Sequence, residues 1–247
     1  LTVVAVVGII NAINLIDGVN GLSSGYCITA CTMFGTLFYL SGDMKMTILA
    51  AVSVGALIPF FLHNVFGKTS KMFIGDGGTL VMGVVITVFV IETLRSGSSC
   101  GAYVEPRVGL VPFSLAVLCI PVFDTLRVMF SRILRGVSPF RPDKTHLHHM
   151  FIGLGFSHVL TSVNMLILNG LVVVVWHVCN VFDLCPETQL YVTAATGIAL
   201  TSGLYYTVEY IRLHCPSTYA AMQRFVKAHS MRRIGVLQKV GEVLDSM

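Results

Sequence analysis

Four clusters of polar residues interrupt an otherwise apolar sequence, and each has the composition of a site for phosphates or a cation. The first reads Asn11-Ala12-Ile13-Asn14-Leu15-Ile16-Asp17-Gly18-Val19-Asn20-Gly21. Asn11 and Asn14 are three apart and share a helix face, with Asp17 one turn further on. A helix end needs one capping Asn or Gly. Three amides and a carboxylate exceed that need, and they read as the wall of a polar cavity. The second cluster is Phe73-Ile74-Gly75-Asp76-Gly77-Gly78-Thr79. Asp76 is either the N-cap of the next helix or a ligand for a hard cation in a phosphate cradle of backbone N–H groups. The residues alone leave both open. In the third, Pro121-Val122-Phe123-Asp124-Thr125-Leu126-Arg127, Asp124 and Arg127 read as a helix-stabilising ion pair. The fourth is Ser138-Pro139-Phe140-Arg141-Pro142-Asp143-Lys144-Thr145-His146-Leu147-His148-His149. Two prolines keep its start out of a helix. With no Cys or convincing fourth ligand nearby it is a poor zinc site. Its Arg, Lys and His side chains instead suit an anionic ligand.

These clusters are held by a chain built for lipid. Of 247 residues, 55% are hydrophobic and 11% charged, against about 25% charged in soluble domains; mean hydropathy is +0.81. A disordered tail protein, a secreted disulfide scaffold and a nucleic-acid module are excluded. Apolar runs fall at about 1–16, 24–40, 46–65, 78–94, 108–131, 158–180 and 189–211, several near the roughly 18–20 residues that cross a bilayer. This predicts an all-α, polytopic transmembrane bundle of about seven spans over 1–212, followed by a basic tail at 213–247. Cys27, Cys31, Cys119 and Cys179 sit in apolar runs as small hydrophobes, and nothing in the spacing of Cys100 and Cys185 points to a pairing. No Walker loop or dinucleotide fingerprint is present.

Charge placement predicts the topology. If the first run ends in the cytoplasm, only Lys45, Arg95 and Arg107 of the 16 basic residues fall on the far side. All four clusters then open onto the cytoplasmic face of the membrane. In the tail, Met222, Phe225, Val226, Val236, Leu237, Val240 and Leu244 recur at roughly helical spacing among Arg224, Lys227, Arg232, Arg233 and Lys239. A helix on the anionic leaflet and a solvated tail both fit.

Taken in order, NAINLIDGVNGL, FIGDGGTLVMG, PVFDTLRV and SPFRPDKTHLHH resemble the polyprenyl-phosphate N-acetylhexosamine-1-phosphate transferases, the glycosyltransferase 4 family, and within it the WecA-like branch. The resemblance covers about residues 1–160 by motif. It implies Mg²⁺-dependent transfer (Mn²⁺ is an alternative) of a sugar 1-phosphate from a UDP-N-acetylhexosamine, foremost UDP-GlcNAc, to undecaprenyl phosphate with release of UMP. This is a first membrane step of a surface glycan, whether lipopolysaccharide, wall polymer or capsule. It implies Asp76 as direct Mg²⁺ ligand with Asn14 beside the metal and diphosphate. Asn11, Asp17 and Asn20 would line the nucleotide side. His146, His148 and His149, with Arg141, would bind diphosphate or sugar, and Asp17, Asp76 and His146 are the catalytic candidates. Membrane lipids and a second copy of the chain are the further partners expected.

Other readings stay in view: transfer from another UDP-HexNAc or from UDP-MurNAc-pentapeptide, a transporter, or a non-catalytic membrane protein. A transporter would carry charges near the bilayer midplane on broken helices of inverted repeats, whereas these clusters sit at helix ends on one side. The family also has an aspartate-rich motif near the inner end of an earlier span, and no Asp-Asp pair occurs here. Because Leu1 lies inside an apolar run, that motif is expected upstream of it. The 247-residue chain alone is therefore predicted to release no UMP from UDP-GlcNAc; release that disappears in Asp76→Ala would overturn this.

Overall fold

A computed structural model describes residues 2–67, 71–103, 108–139, 141 and 144–230. Among these residues there are helices and no strands. In chain order they are α1 (Thr2–Leu15), α2 (Leu22–Leu40), α3 (Met44–Phe66), α4 (Gly75–Leu94), α5 (Ser99–Tyr103), α6 (Leu110–Leu134), α7 (Leu147–Gly153), α8 (His158–Val181), α9 (Pro186–Ile198), α10 (Leu204–His214) and α11 (Pro216–Ser230). A five-residue π-helical turn, Ala199–Gly203, joins α9 to α10.

All seven apolar runs are helical, and the chain is an all-α polytopic membrane protein. Helices α3, α4, α6 and α8 each have the length and hydropathy of a membrane crossing. Helix α2 is 19 residues long but is diluted by hydroxyls. Thr29, Thr32 and Thr36 turn theirs back onto carbonyls one turn earlier, at 2.7–2.9 Å, which removes the cost of carrying them in an apolar setting. The seven cysteines are all free. Arg107, Lys68 and the tail beyond Ser230 lie outside the described residues; of the tail, α11 is described, with Arg224, Phe225 and Lys227 exposed.

The core forms where α2 and α6 are wrapped by the others. Cys27, Cys31, Phe34 and Phe38 recur at three- and four-residue spacing on α2 and are fully buried. Phe34, Phe38, Phe89 and Phe113 meet there with ring centroids 5.4–6.5 Å apart, a separation at which aromatic pairs attract beyond simple burial. Helix α6 is the most enclosed span and α3 the least, so α3 presents most of its surface outward.

Pro121 inside α6 has no N–H and leaves the carbonyl of Val117 without its helical donor. Neighbours repair the gap. The Tyr26 hydroxyl and the Asn169 amide both donate to Val117 O, the latter at 3.0 Å, and Asn169 Oδ1 accepts the Ile120 N–H at 3.1 Å. The break therefore ties α2, α6 and α8 together one turn before Asp124.

Helices α1 and α4 touch backbone to backbone at Gly83, where an added Cβ would lie 2.9 Å from Ile10 Cα. Gly83→Ala is expected to push the helices apart and cost about 1–3 kcal/mol, seen as a lower thermal midpoint in detergent. Gly55→Ala on α3, with nothing within 4 Å, is expected to leave the midpoint unchanged or raise it.

Candidate active site

The ends of seven helices, α1 to α4 and α6 to α8, meet at one end of the bundle, and all four polar motifs are there. The α1–α4 contact positions the first two. Asn14 Nδ2 donates to Thr79 Oγ1 at 2.8 Å, while that hydroxyl donates back to the carbonyl of Asp76 at 3.0 Å. The buried Thr79 thus links the asparagine cluster to the start of α4, and Asn14 Oδ1 is left for a ligand. Asp76 is exposed in the first turn of α4, where backbone N–H groups lack helical partners and favour negative charge. It is not the N-cap; that position is Ile74, and no side chain caps the helix. Gly75 before it has φ 62°, a left-handed conformation that favours glycine.

The turn between α1 and α2 is fastened on three sides. Gly21 N–H donates to Asn64 Oδ1 at the end of α3, and Asn64 Nδ2 reaches Met72 O at 2.6 Å, just ahead of the Gly75–Asp76 turn. Ser162 on α8 donates to Asn20 O at 2.8 Å. The Ser23 hydroxyl bonds Asp17 Oδ1 and orients the carboxylate. Gly18 lies against His148: a Cβ there would stand 2.5 Å from His148 Nε2. Glycine is what lets the histidine segment close onto this turn.

That segment is not a solvated loop. His146 is the N-cap of α7, and His146, Leu147 and His148 are buried. Asp124 on α6 organises it. Its Oδ2 takes His146 Nδ1 at 2.9 Å, and its two oxygens accept the Leu147 N–H at 3.1 and 3.2 Å. The predicted ion pair forms as well, with Arg127 Nη2 2.7 Å from Oδ1. Arg127 goes further: it donates to Thr145 O at 2.6 Å, and its guanidinium lies 3.8 Å from the Tyr205 ring centroid, a close cation–π contact.

The motifs therefore converge unequally. Asn14 is bonded to the start of α4, Asp17–Gly18 abuts His148, and His146 is fixed by Asp124. His149 is half-buried with its ring 4.3 Å from that of His148. Asn11 is half-buried, and Asp76 and Arg141 are exposed, with no bond to another site residue among the described ones. Pro142 and Asp143 lie outside the described residues. Sequence reasoning passed over Thr79, Asn64 and Ser162 and gave Asp124 only its local partner. The signal for Asn64 was an amide closing an apolar run, an expensive placement unless it has bonds to make.

For a cation, no group of three or more His, Cys, Asp or Glu occurs among the described residues, so a closed protein cage does not fit. The exposed carboxylate of Asp76 and Asn14 Oδ1, unbonded among the described residues, do fit as the few protein ligands of Mg²⁺, which keeps waters and shares phosphate oxygens. Two clefts of about 620 and 540 Å³ lie at the opposite end, lined by residues such as Ser98 and Pro112, and by Asp43 and Arg95. They hold none of the motif residues.

Burial, with the charges of His149 and His146 adding to it, pushes the His148 imidazole down from 6.5 to about 3. Between those values the unfolded chain takes up a proton that the folded chain refuses. The stability His148 contributes is thus complete above about pH 6.5 and is lost as pH falls toward 3. The thermal midpoint in detergent should fall from pH 7 to pH 4, and fall less in His148→Phe; an equal fall in both would refute the assignment.

Residues 1–94 match the model of glycosyl transferase family 4. The undecaprenyl-phosphate alpha-N-acetylglucosaminyl 1-phosphate transferase of Escherichia coli (strain K12) is 26% identical over 159 residues, 64% of this chain and 41% of that protein. Its namesake in Salmonella typhi is 28% identical over the same share of each chain. The probable undecaprenyl-phosphate N-acetylglucosaminyl 1-phosphate transferase of Bacillus subtilis (strain 168) is 31% identical over 158 residues, again 64% of this chain and 41% of that protein. No solved structure matches. The chain spans about two fifths of the length of these relatives. Residues 1–94 are thus similar to glycosyl transferase family 4, and about two thirds of the chain is similar to undecaprenyl-phosphate N-acetylglucosaminyl 1-phosphate transferases.

Proposed function

We propose that residues 1–212 form the catalytic region of a transferase that moves N-acetylhexosamine 1-phosphate, foremost GlcNAc 1-phosphate, from a UDP-sugar to undecaprenyl phosphate and releases UMP. The observation that carries this reading is convergence. Motifs up to 135 residues apart in sequence, Asn11 to His146, meet at one end of an apolar bundle through the Asn14–Thr79 bond and the Gly18–His148 contact. A lipid-borne acceptor needs that placement, with its phosphate at the surface and its isoprenoid tail in the apolar layer. Lys71, Arg132, Arg135 and Lys144 also lie toward this end, against Lys45 and Arg95 at the other, which supports a cytoplasmic orientation.

Joining two phosphates requires offsetting the repulsion of several negative charges while the reacting oxygens are aligned. Asp76 with Asn14 Oδ1 would hold Mg²⁺, which when bound neutralises charge on the diphosphate. The chain's own residues do the rest. The N–H groups of the first turn of α4, which lack helical partners, would meet the phosphates. The Asp17 carboxylate, oriented by Ser23, and Asn11 and Asn20 line the nucleotide side. His146 and His149, with Arg141 at the rim, would bind the diphosphate or sugar, while His148 stays neutral and packs the turn.

Membranes carrying the complete gene product should exchange labelled UMP into UDP-GlcNAc in the presence of Mg²⁺ and stop when it is chelated. Asp76→Ala, expressed to the same level, should lower exchange at least about 100-fold, the scale on which losing a charge-stabilising group acts. Absence of exchange with every UDP-N-acetylhexosamine would end the transferase reading, and a donor panel identifies the sugar.

A further inference from the structure

The sequence gives Asp124 no role beyond its ion pair with Arg127, three residues away, yet its carboxylate is the most heavily bonded side chain in the site. It lies fully buried on α6 and meets three different partners: the Arg127 guanidinium, the Leu147 N–H and His146 Nδ1. A carboxylate at 2.9 Å requires a proton on His146 Nδ1. The other ring nitrogen, Nε2, is also buried, and no group among the described residues bonds it. A buried ring nitrogen without a partner is costly. This one stands beside the His148 ring, which lies parallel to it at 5.7 Å and itself abuts the Gly18 turn.

We infer that Asp124 is a positioning residue: it fixes the ring orientation and tautomer of His146, so that Nε2 is kept as an acceptor for a hydroxyl of the sugar or nucleotide. Arg127 is the second member of the device. By occupying Oδ1 through Nη2 at 2.7 Å and Nε at 3.3 Å, it determines that Oδ2 faces the histidine. Tyr205 is the third. The π-helical turn at Ala199–Gly203 ends just before it, and its ring packs on the guanidinium that Asp124 and Thr145 O already hold. Inserted π turns of this kind re-aim a helix and are frequent at functional sites. The ligand part of this inference rests on the transferase reading; the ring part does not.

The test exploits what Asn does in place of Asp. In Asp124→Asn, Arg127 and the Leu147 N–H both require an oxygen at the Oδ1 position, so the amide NH₂ must face His146 Nδ1. The ring is then forced to accept at Nδ1 and carry its proton on Nε2. In the purified chain with ¹⁵N-labelled histidine, His146→Gln identifies the His146 signals among the eight histidines. Wild type should show a protonated Nδ1, and Asp124→Asn an unprotonated Nδ1 with a protonated Nε2. The unmutated protein gives a second reading independent of how the variant folds: wild-type His146 lacking the Nδ1 proton overturns the inference, as does an Asp124→Asn ring unchanged from wild type. The affinity for UDP-GlcNAc, measured with Mg²⁺, should fall roughly fivefold in Asp124→Asn, whose Nε2–H no longer accepts the ligand hydroxyl, about the value of one neutral hydrogen bond, and recover partly in Asp124→Glu. Unchanged affinity despite a switched ring overturns the ligand part. If wild type binds no UDP-N-acetylhexosamine, the transferase reading fails and the ring measurements still decide the role of Asp124.

Discussion

A carboxylate sealed inside a helix of a membrane bundle is the constraint from which the arrangement of the site follows. Isolated, the charge of Asp124 would be untenable in so apolar a setting. It persists because a guanidinium, an imidazole and a backbone N–H surround it within hydrogen-bond distance. Each partner lies on a different part of the chain relative to the carboxylate: Arg127 one turn along α6, and His146 and Leu147 at the start of α7. The carboxylate therefore dictates where α7 begins. It holds the histidine segment down on the bundle although Gly136 and two prolines separate that segment from α6. Removing any partner would leave a buried charge short of compensation, which costs far more than the intact pair gains.

The same logic of compensation explains the neighbouring defects. Pro121 breaks the hydrogen-bond ladder of α6 at Val117, and the repair by Tyr26 and Asn169 binds three helices at that level. Gly83 and Gly18 remove side chains where a helix and a turn must come close, and Asn64 closes the α1–α2 turn onto α3. These are the residues that a lipid-facing helix does not need. Together they convert a bundle held by apolar packing, which specifies register poorly, into one whose polar end has a defined geometry.

The helices were legible because the solvent is apolar: long uncharged runs have one stable backbone solution in lipid, and all seven runs at 1–16 through 189–211 are helical. The candidate residues were legible too, since amides, carboxylates and histidines are conspicuous against that background. Their connections were not. Spacing reveals neighbours on one helix, such as Asp124 and Arg127, but Asp124 to His146 spans 22 residues and Asn14 to Thr79 spans 65. Tyr205 was invisible as a partner of Arg127 because it reads as one more aromatic in an apolar run, and its placement depends on an inserted π turn that periodicity does not signal. The seven-residue α7 was too short, and too close to Pro142, to stand out from a loop.

What the structure adds most to the sequence concerns the three histidines, which as letters are interchangeable. Three imidazoles packed side by side cannot all carry charge, because each would raise the cost of protonating the next. The fold resolves this by giving them different surroundings. His148 is driven neutral by burial, its Nε2 set against Gly18. His146 lies parallel to it and is fixed by a carboxylate at Nδ1. His149 is half-buried at the edge of the stack. A repeated residue type is thereby divided into a packing element, an oriented donor or acceptor, and a group nearer the surface. The division is imposed by Asp124 and by the α1–α2 turn, neither of which belongs to the histidine motif itself.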